Sequence, residues 1–266
     1  MNIIVCIKQV PGTAEVKIDP ADNTLIREDI PNIINPFDMY AIEEGLLLKE
    51  SFGGKVTVIS MGPPQAINAL KEAMGMGADE AVLLADRAFA GSDSWATAYT
   101  LSLAIKVIGA FDIILCGRQA IDGDTGQVGP GLARQLGVTP LTYVFKIQNV
   151  DPDRKIIIVE RLLEEGHEIV EAALPALLTV VKDINQPRSP SIANIRRSAK
   201  LKTRIITARD LTGVDMTRLG LDGSPTKVIK MFSPPQREGI LDMIQSDTVE
   251  QAANQLVDKI LAKKII

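Results

Sequence analysis

Short apolar runs at residues 2–7, 55–60, 80–85 and 111–115 recur through the first half of the chain, each separated from the next by a segment with helical spacing. Runs of this length without polar alternation are strands buried on both faces. Strands alternating with helices at this rhythm imply βαβ units, so the fold class is α/β with a doubly wound, Rossmann-like parallel sheet. A further strand at 141–147 gives the common order 3-2-1-4-5, and right-handed crossovers restrict the winding. In that order strands one and four are neighbours where the winding reverses, and ligands bind outside the carboxyl ends there.

Past residue 150 the rhythm changes. Residues 155–159 and 168–172 flank Glu164-Glu165-Gly166 as an antiparallel pair, and 176–181 is another strand. The expected organisation is one α/β domain over 1–220, with an antiparallel extension from about 150, then a linker and C-terminal helical arm over 221–266. That arm opens with the capping-box spacing Asp247-x-x-Glu250. It carries one apolar stripe, Val249, Ala253, Leu256, Val257, Ile260 and Leu261, which covers either the chain's own core or a partner subunit, and its separation from the core by a long linker favours packing on a partner subunit.

The 266 residues can bury a large core, and 46% hydrophobic with 23% charged residues is the composition of a globular protein. A net charge of −4 argues against a general nucleic-acid binder. No apolar run approaches the ~20 residues of a membrane span, and Lys8-Gln9 ends the first run too early for a signal peptide. Two cysteines inside apolar strands fit a reducing compartment, most simply the cytoplasm.

The densest glycine run, Gly117, Gly123, Gly126, Gly129 and Gly131, lies where the fourth strand turns towards helical residues 132–136. A backbone bare of Cβ atoms lets main-chain N–H groups approach a phosphate closely. Either Asp124 caps the helix with Gln127 reaching back, or Pro130 opens it at its first position. On both readings several amides between Asp122 and Gly129 lack intrahelical acceptors. The spacing matches neither Gly-x-Gly-x-x-Gly nor the Walker pattern, so spacing alone leaves a plain turn and a pyrophosphate cradle both open. The Lys8 loop, the Asn35-Pro36 helix start (Asn35 as cap, Pro36 at the first position) and this turn are expected to share one crevice. From Arg188 to Arg204 the chain is basic, through Arg188, Arg196, Arg197, Lys200, Lys202 and Arg204, as a solvated segment or as a docking loop for an acidic partner.

Catalytic constellations are missing. With His167 the only histidine, neither a His-based triad nor a two-His metal site exists, and His167 reads as a turn residue. Cys6 and Cys116 read as small apolar core residues. Any redox chemistry must therefore come from a cofactor.

Residues 119–130, Gln-Ala-Ile-Asp-Gly-Asp-Thr-Gly-Gln-Val-Gly-Pro, resemble the nucleotide loop of the β subunits of electron-transferring flavoproteins. So do Val5-Cys6-Ile7-Lys8-Gln9-Val10, Asn35-Pro36-Phe37-Asp38 with Glu43-Glu44, and Leu48-Lys49-Glu50. Val159-x-Arg161-x-x-Glu164-Glu165-Gly166-His167-Glu168-x-Val170, followed by Pro175-x-Leu177-Leu178-Thr179, fits that subunit's signature throughout. The resemblance runs in order from residue 2 to about 204.

The resemblance implies an adenine-nucleotide site built by Cys6, Asn35, Pro36, Phe37, Asp38, Met61, Gly117, Arg118, Gln119, Ala120, Ile121, Asp122, Gly123, Asp124, Thr125, Gly126, Gln127 and Val128. Phosphates are expected against the amides of residues 124–128, with Thr125 and Gln127 adding side-chain bonds. The Asp-Gly-Asp-Thr-x-Gln-Val-Gly-Pro form resembles the members that hold FAD and bifurcate electrons. In those, NADH reduces the β-subunit flavin; one electron goes towards ferredoxin or flavodoxin, the other through the α subunit to an acyl-CoA dehydrogenase or enoyl-CoA reductase. The alternatives are a simpler member holding AMP, and a non-redox, stress-type ATP- or AMP-binding domain. Gly126 departs from the usual Ala. Ile192 stands where the family's recognition loop anchors a partner with Leu. No catalytic side chain and no metal site are expected.

Overall fold

Residues 1–12, 17–18, 25–26, 31–200, 202–229 and 243–263 are described in a computed structural model. The strands are β1 (Asn2–Cys6), β2 (Gln9–Pro11), β3 (Lys17–Ile18), β4 (Leu25–Ile26), β5 (Asn32–Ile34), β6 (Lys55–Met61), β7 (Glu80–Leu84), β8 (Ile113–Gly117), β9 (Thr139–Asp151), β10 (Ile156–Leu163), β11 (Gly166–Ala173), β12 (Ala176–Val180) and β13 (Arg204–Ile206). The α-helices are α1 (Pro36–Phe52), α2 (Ile67–Met76), α3 (Ser94–Ile108), α4 (Val128–Leu136), α5 (Ile192–Ser198) and α6 (Val249–Ala262).

The main sheet runs β11-β10-β9-β12-β8-β1-β6-β7-β13. From β9 through β12, β8, β1, β6 and β7 to β13 every neighbour is parallel, while β9-β10-β11 is an antiparallel meander. The doubly wound α/β class is therefore as read from the sequence, with the first four strands in the order 3-2-1-4. The next place is taken by β12, which separates β8 from β9, the strand expected there. All five residues of β12 are buried, as a central position requires, whereas β9 alternates between covered and uncovered residues.

Side-chain alternation splits the core in two. Ile3, Val5, Val58 and Leu115 pack with Ile42, Leu46, Leu70 and Met74 on the α1 and α2 side. Ile4, Cys6, Ile114 and Cys116 pack with Ala98, Leu101, Ile105 and Leu132 on the α3 and α4 side. Each fully buried Ile or Leu contributes roughly 1.5–3 kcal/mol. The helical spacing that puts Tyr40, Ile42, Leu46 and Leu47 on the apolar face of α1 turns Glu43 and Glu44 mostly outward, yet both are buried. Their carboxylates meet residues 185–188: Arg188 donates to both Glu43 oxygens through Nε and to Glu50 through Nη1 at 2.6 Å, and Asn185 Nδ2 donates to Glu44 at 2.8 Å.

β3 pairs antiparallel with β4; Pro20-Ala21-Asp22-Asn23 between them, which the alternation of residues 16–19 and 24–27 predicts as a hairpin turn, lies outside the described residues. Contacts divide the chain into units 1–230 and 231–266, and residues 230–242, part of the linker and arm expected over 221–266, lie outside the described residues. In the second unit α6 is capped by Thr248, whose Oγ1 accepts from Gln251 N at 3.2 Å. The cap is thus one residue past Asp247, because Thr248 has the extended backbone a cap requires.

Candidate functional site

The carboxyl ends of β1 and β8 lie side by side, with Cys6 opposite Cys116. Asp38, in the first turn of α1, reaches between them. Its Oδ2 accepts from the Lys8 amide at 2.7 Å and its Oδ1 from the Gly117 amide at 3.2 Å, with the residue only 5% exposed. Gly117 has to lack a side chain, since a Cβ there would sit 2.3 Å from Asp38 Oδ1 and 2.7 Å from the Phe37 carbonyl carbon. Burial pushes the Asp38 carboxyl up to about 7, against the pull of Asn35, the two amides and the Lys8 charge. The Cys116 thiol is pushed up by its hydrogen bond to Cys6, by burial and by Asp38, so it behaves as an apolar group.

Asn35 occupies the cap position of α1, and Pro36 follows at the first position as expected, but the Asn35 side chain makes no capping bond. Its Nδ2 donates to the Gln119 carbonyl at 2.8 Å and its Oδ1 accepts from the Ile121 amide at 3.1 Å. Lys8 Nζ donates to both Asp122 oxygens at 2.7 Å. The three segments expected to share a crevice are thereby tied together.

Within the glycine-rich loop, Gln119 Nε2 donates to Asp124 Oδ1, Arg118 Nε donates to Gln119 Oε1 at 2.7 Å, and the Asp124 amide donates to the Ala120 carbonyl at 2.9 Å. Neither expected start of the following helix is observed. Asp124 has left-handed backbone (φ 57°) and its side chain is engaged by Gln119, so it does not cap. α4 begins at Val128, with Gln127 in the cap position and Pro130 third in the helix. Gly126 (φ 63°) completes the reversal. Thr125 Oγ1 lies 3.1 Å from Ser94 Oγ and accepts from the Gln127 amide at 3.5 Å. The amides of Asp122, Gly123, Thr125, Gly126 and Val128 have no hydrogen-bond partner among the described residues. Main-chain donors left open at the start of a helix suit an anion.

Beside this loop is a cleft of about 430 Å³. Arg118, Gln119 and residues 124–127 form one wall; Thr142, Tyr143 and Thr179 form the other. The Arg118 guanidinium lies 5.1 Å from the Tyr143 ring centre and 5.9 Å from that of Phe37, with no carboxylate partner among the described residues. Gly129 allows α4 to start against β12, because a Cβ there would sit 2.4 Å from Thr179 Cγ2.

Residues 117–128 and Cys6, Asn35, Pro36, Phe37 and Asp38 thus gather at one edge of the sheet. Met61 ends β6 on the same edge, packed against the α3-side core and with no bond to the loop among the described residues. Thr142, Tyr143 and Thr179 were not among the expected site residues. Thr179 was within reach, since it ends the Pro175-to-Thr179 match; Tyr143 carried no sequence signal. Ile192 lies elsewhere, first in α5 and 74% exposed. Two of the basic residues around it are engaged within the fold, Arg188 by Glu43 and Glu50 and Arg197 by the Ala78 carbonyl. His167 is in strand β11 rather than in the turn, with Nδ1 2.5 Å from Glu160 Oε1. Among the described residues no cluster of three His, Cys, Asp or Glu could hold a metal, and no helix is long and apolar enough to cross a membrane.

A doubly wound sheet with an anion-suited loop at its switch point defines an α/β protein whose candidate site is at the carboxyl edge. The family model of the electron transfer flavoprotein domain matches residues 22–211. The electron transfer flavoprotein subunit beta of Thermoanaerobacterium thermosaccharolyticum is 52% identical, with all of both chains covered. The caffeyl-CoA reductase–Etf complex subunit CarD of Acetobacterium woodii is 48% identical, again over the whole of both chains. Protein FixA of Bradyrhizobium diazoefficiens is 45% identical over 98% of this chain and 91% of its own. The chain belongs to the electron transfer flavoprotein β-subunit family, which sets aside the stress-type reading.

Proposed function

We propose that this chain is the β subunit of an electron-bifurcating electron transfer flavoprotein and holds FAD at the glycine-rich loop. The observation that carries the reading is the set of amides at Asp122, Gly123, Thr125, Gly126 and Val128 without a partner among the described residues, next to an Arg118 guanidinium with no carboxylate partner among them. That donor set fits a diphosphate. The open amides would hold the phosphates, Arg118 would add a charge, and Asn35 and Asp38 would keep the loop on the strand ends. The flavin, when bound, supplies the electron chemistry that the polypeptide lacks. The resemblance to a subunit of a caffeyl-CoA reductase complex supports an acyl-CoA dehydrogenase or enoyl-CoA reductase as one partner. NADH as donor, ferredoxin or flavodoxin as the other acceptor, an α subunit as permanent partner and a cytoplasmic setting complete the proposal. Ile192 is the proposed contact to the dehydrogenase. The test is extraction of nucleotide from the complex co-produced with the α subunit, followed by HPLC: two FAD per complex are expected. One FAD and one AMP would overturn bifurcation and leave the simpler electron carrier; no adenine nucleotide in this subunit would overturn the site.

A further inference from the structure

Arg161 lies in β10, outside the cleft, yet its guanidinium is spent largely on one residue of the cleft wall. Nε donates to the Thr142 carbonyl at 2.8 Å and Nη2 to Thr142 Oγ1 at 2.9 Å, while Nη1 donates to Glu168 Oε2 on β11 at 2.8 Å. The fork thus grips Thr142 at two atoms and is braced from behind by the neighbouring strand. Immediately after Thr142 the backbone of Tyr143 takes φ 58°. The register between β9 and β10 shifts between Glu160 and Arg161, and that between β9 and β12 shifts between Leu178 and Val180. An aromatic residue in the left-handed region is strained and persists only where its surroundings hold it. Here the holders are Arg161 on one flank and Thr179, whose Oγ1 accepts from the Tyr143 amide at 3.2 Å, on the other. The same distortion carries the Tyr143 ring to 5.1 Å from Arg118, the cation facing the cleft.

The geometry points to Arg161 as a positioning residue for the nucleotide: it sets the Thr142–Tyr143 bulge, and the bulge sets Tyr143 against Arg118. This rests on the nucleotide reading above. It also gives a task to the Arg161 of the Val159-to-Val170 stretch that direct contact with a ligand does not provide.

The test measures how fast bound adenine nucleotide leaves the purified complex on dialysis, quantified by HPLC, alongside the melting temperature. Arg161→Met is expected to speed release about tenfold, the effect of losing charge-assisted hydrogen bonds. Arg161→Lys, which can reach the Thr142 carbonyl alone, is expected to fall between. In a Tyr143→Ala background the Arg161→Met change should alter release less than twofold, because the element it positions is gone. Equal, additive effects in both backgrounds, or a lowered melting temperature with release unchanged, would overturn the positioning role and leave the site itself intact. A wild-type complex that carries no nucleotide on this subunit would overturn the site reading, and this inference with it.

Discussion

Asp38 joins the two central strand ends through one buried carboxylate, so its proton equilibrium is linked to the stability of the fold. Burial raises the native value from 3.8 to about 7. Between those values the native state binds the proton more tightly than the unfolded chain, so stability falls as pH rises through that window. Raising the carboxyl from 3.8 to about 7 corresponds to at most about 4 kcal/mol. Urea unfolding from pH 5 to 8 is expected to show this decline. Asp38→Asn should remove most of the slope, leaving the part due to Glu44, whose carboxyl burial also raises. Wild-type stability that climbs across the same range would refute the assignment. Acid loss of stability below about pH 4 has other sources, such as Asp86, held low by the amides of Ala88 and Ala208. Little of this was legible in the sequence. Asn35-Pro36 marked the start of α1 correctly, but the task of the Asn35 side chain depends on Gln119 and Ile121, more than 80 residues away.

At the level of elements, α4 meets β12 through Gly129 and Thr179. Alanine ordinarily favours a helix over glycine by roughly 1 kcal/mol. Here a Cβ would collide with Thr179 Cγ2, so Gly129→Ala is expected to lower stability by about 1–3 kcal/mol. Thr179→Ser removes the methyl and keeps the hydroxyl that Tyr143 needs, and should restore most of that loss. Denaturant titration of the two single variants and the double variant decides it, and a Gly129→Ala protein more stable than the parent would sink the contact. The parallel strands and their order near β1 were readable because uninterrupted apolar runs report burial on both faces. The place of β12 was readable in principle from the same signal: Ala176-Leu177-Leu178-Thr179-Val180 is a central strand by composition, whereas Leu141-Thr142-Tyr143-Val144 alternates like a peripheral one. The start of α4 was not readable, since Asp124, Gln127 and Pro130 each satisfy a helix-start rule and only the Gln119 contact decides among them.

On the largest scale, α6 of the second unit has no buried residue among those described, and Val249, Leu256, Val257 and Leu261 are exposed along one stripe. An apolar stripe of this kind marks an interaction surface. On the proposal that the arm packs on the α subunit, Leu256→Asp is expected to weaken recovery of the complex at least tenfold in co-purification, with the thermal unfolding of the isolated chain unchanged. Undiminished recovery would argue that the stripe serves something else. The candidate site was half legible on this scale. Its loop wall is contiguous in the sequence and showed itself as a cluster of glycines. Its opposite wall is assembled from β9 and β12 and braced by β10, pairings that no local pattern records.

The two walls also differ in how far they are free to diverge during descent. The Asp38 junction welds one of them to the central strands, so most changes there endanger the whole fold. The Thr142–Tyr143 rim hangs from a peripheral meander, where sequence can drift at little cost. Substitutions tolerated at positions 142 and 143 would accordingly reshape the mouth of the cleft and leave intact the junction that fastens the strand ends.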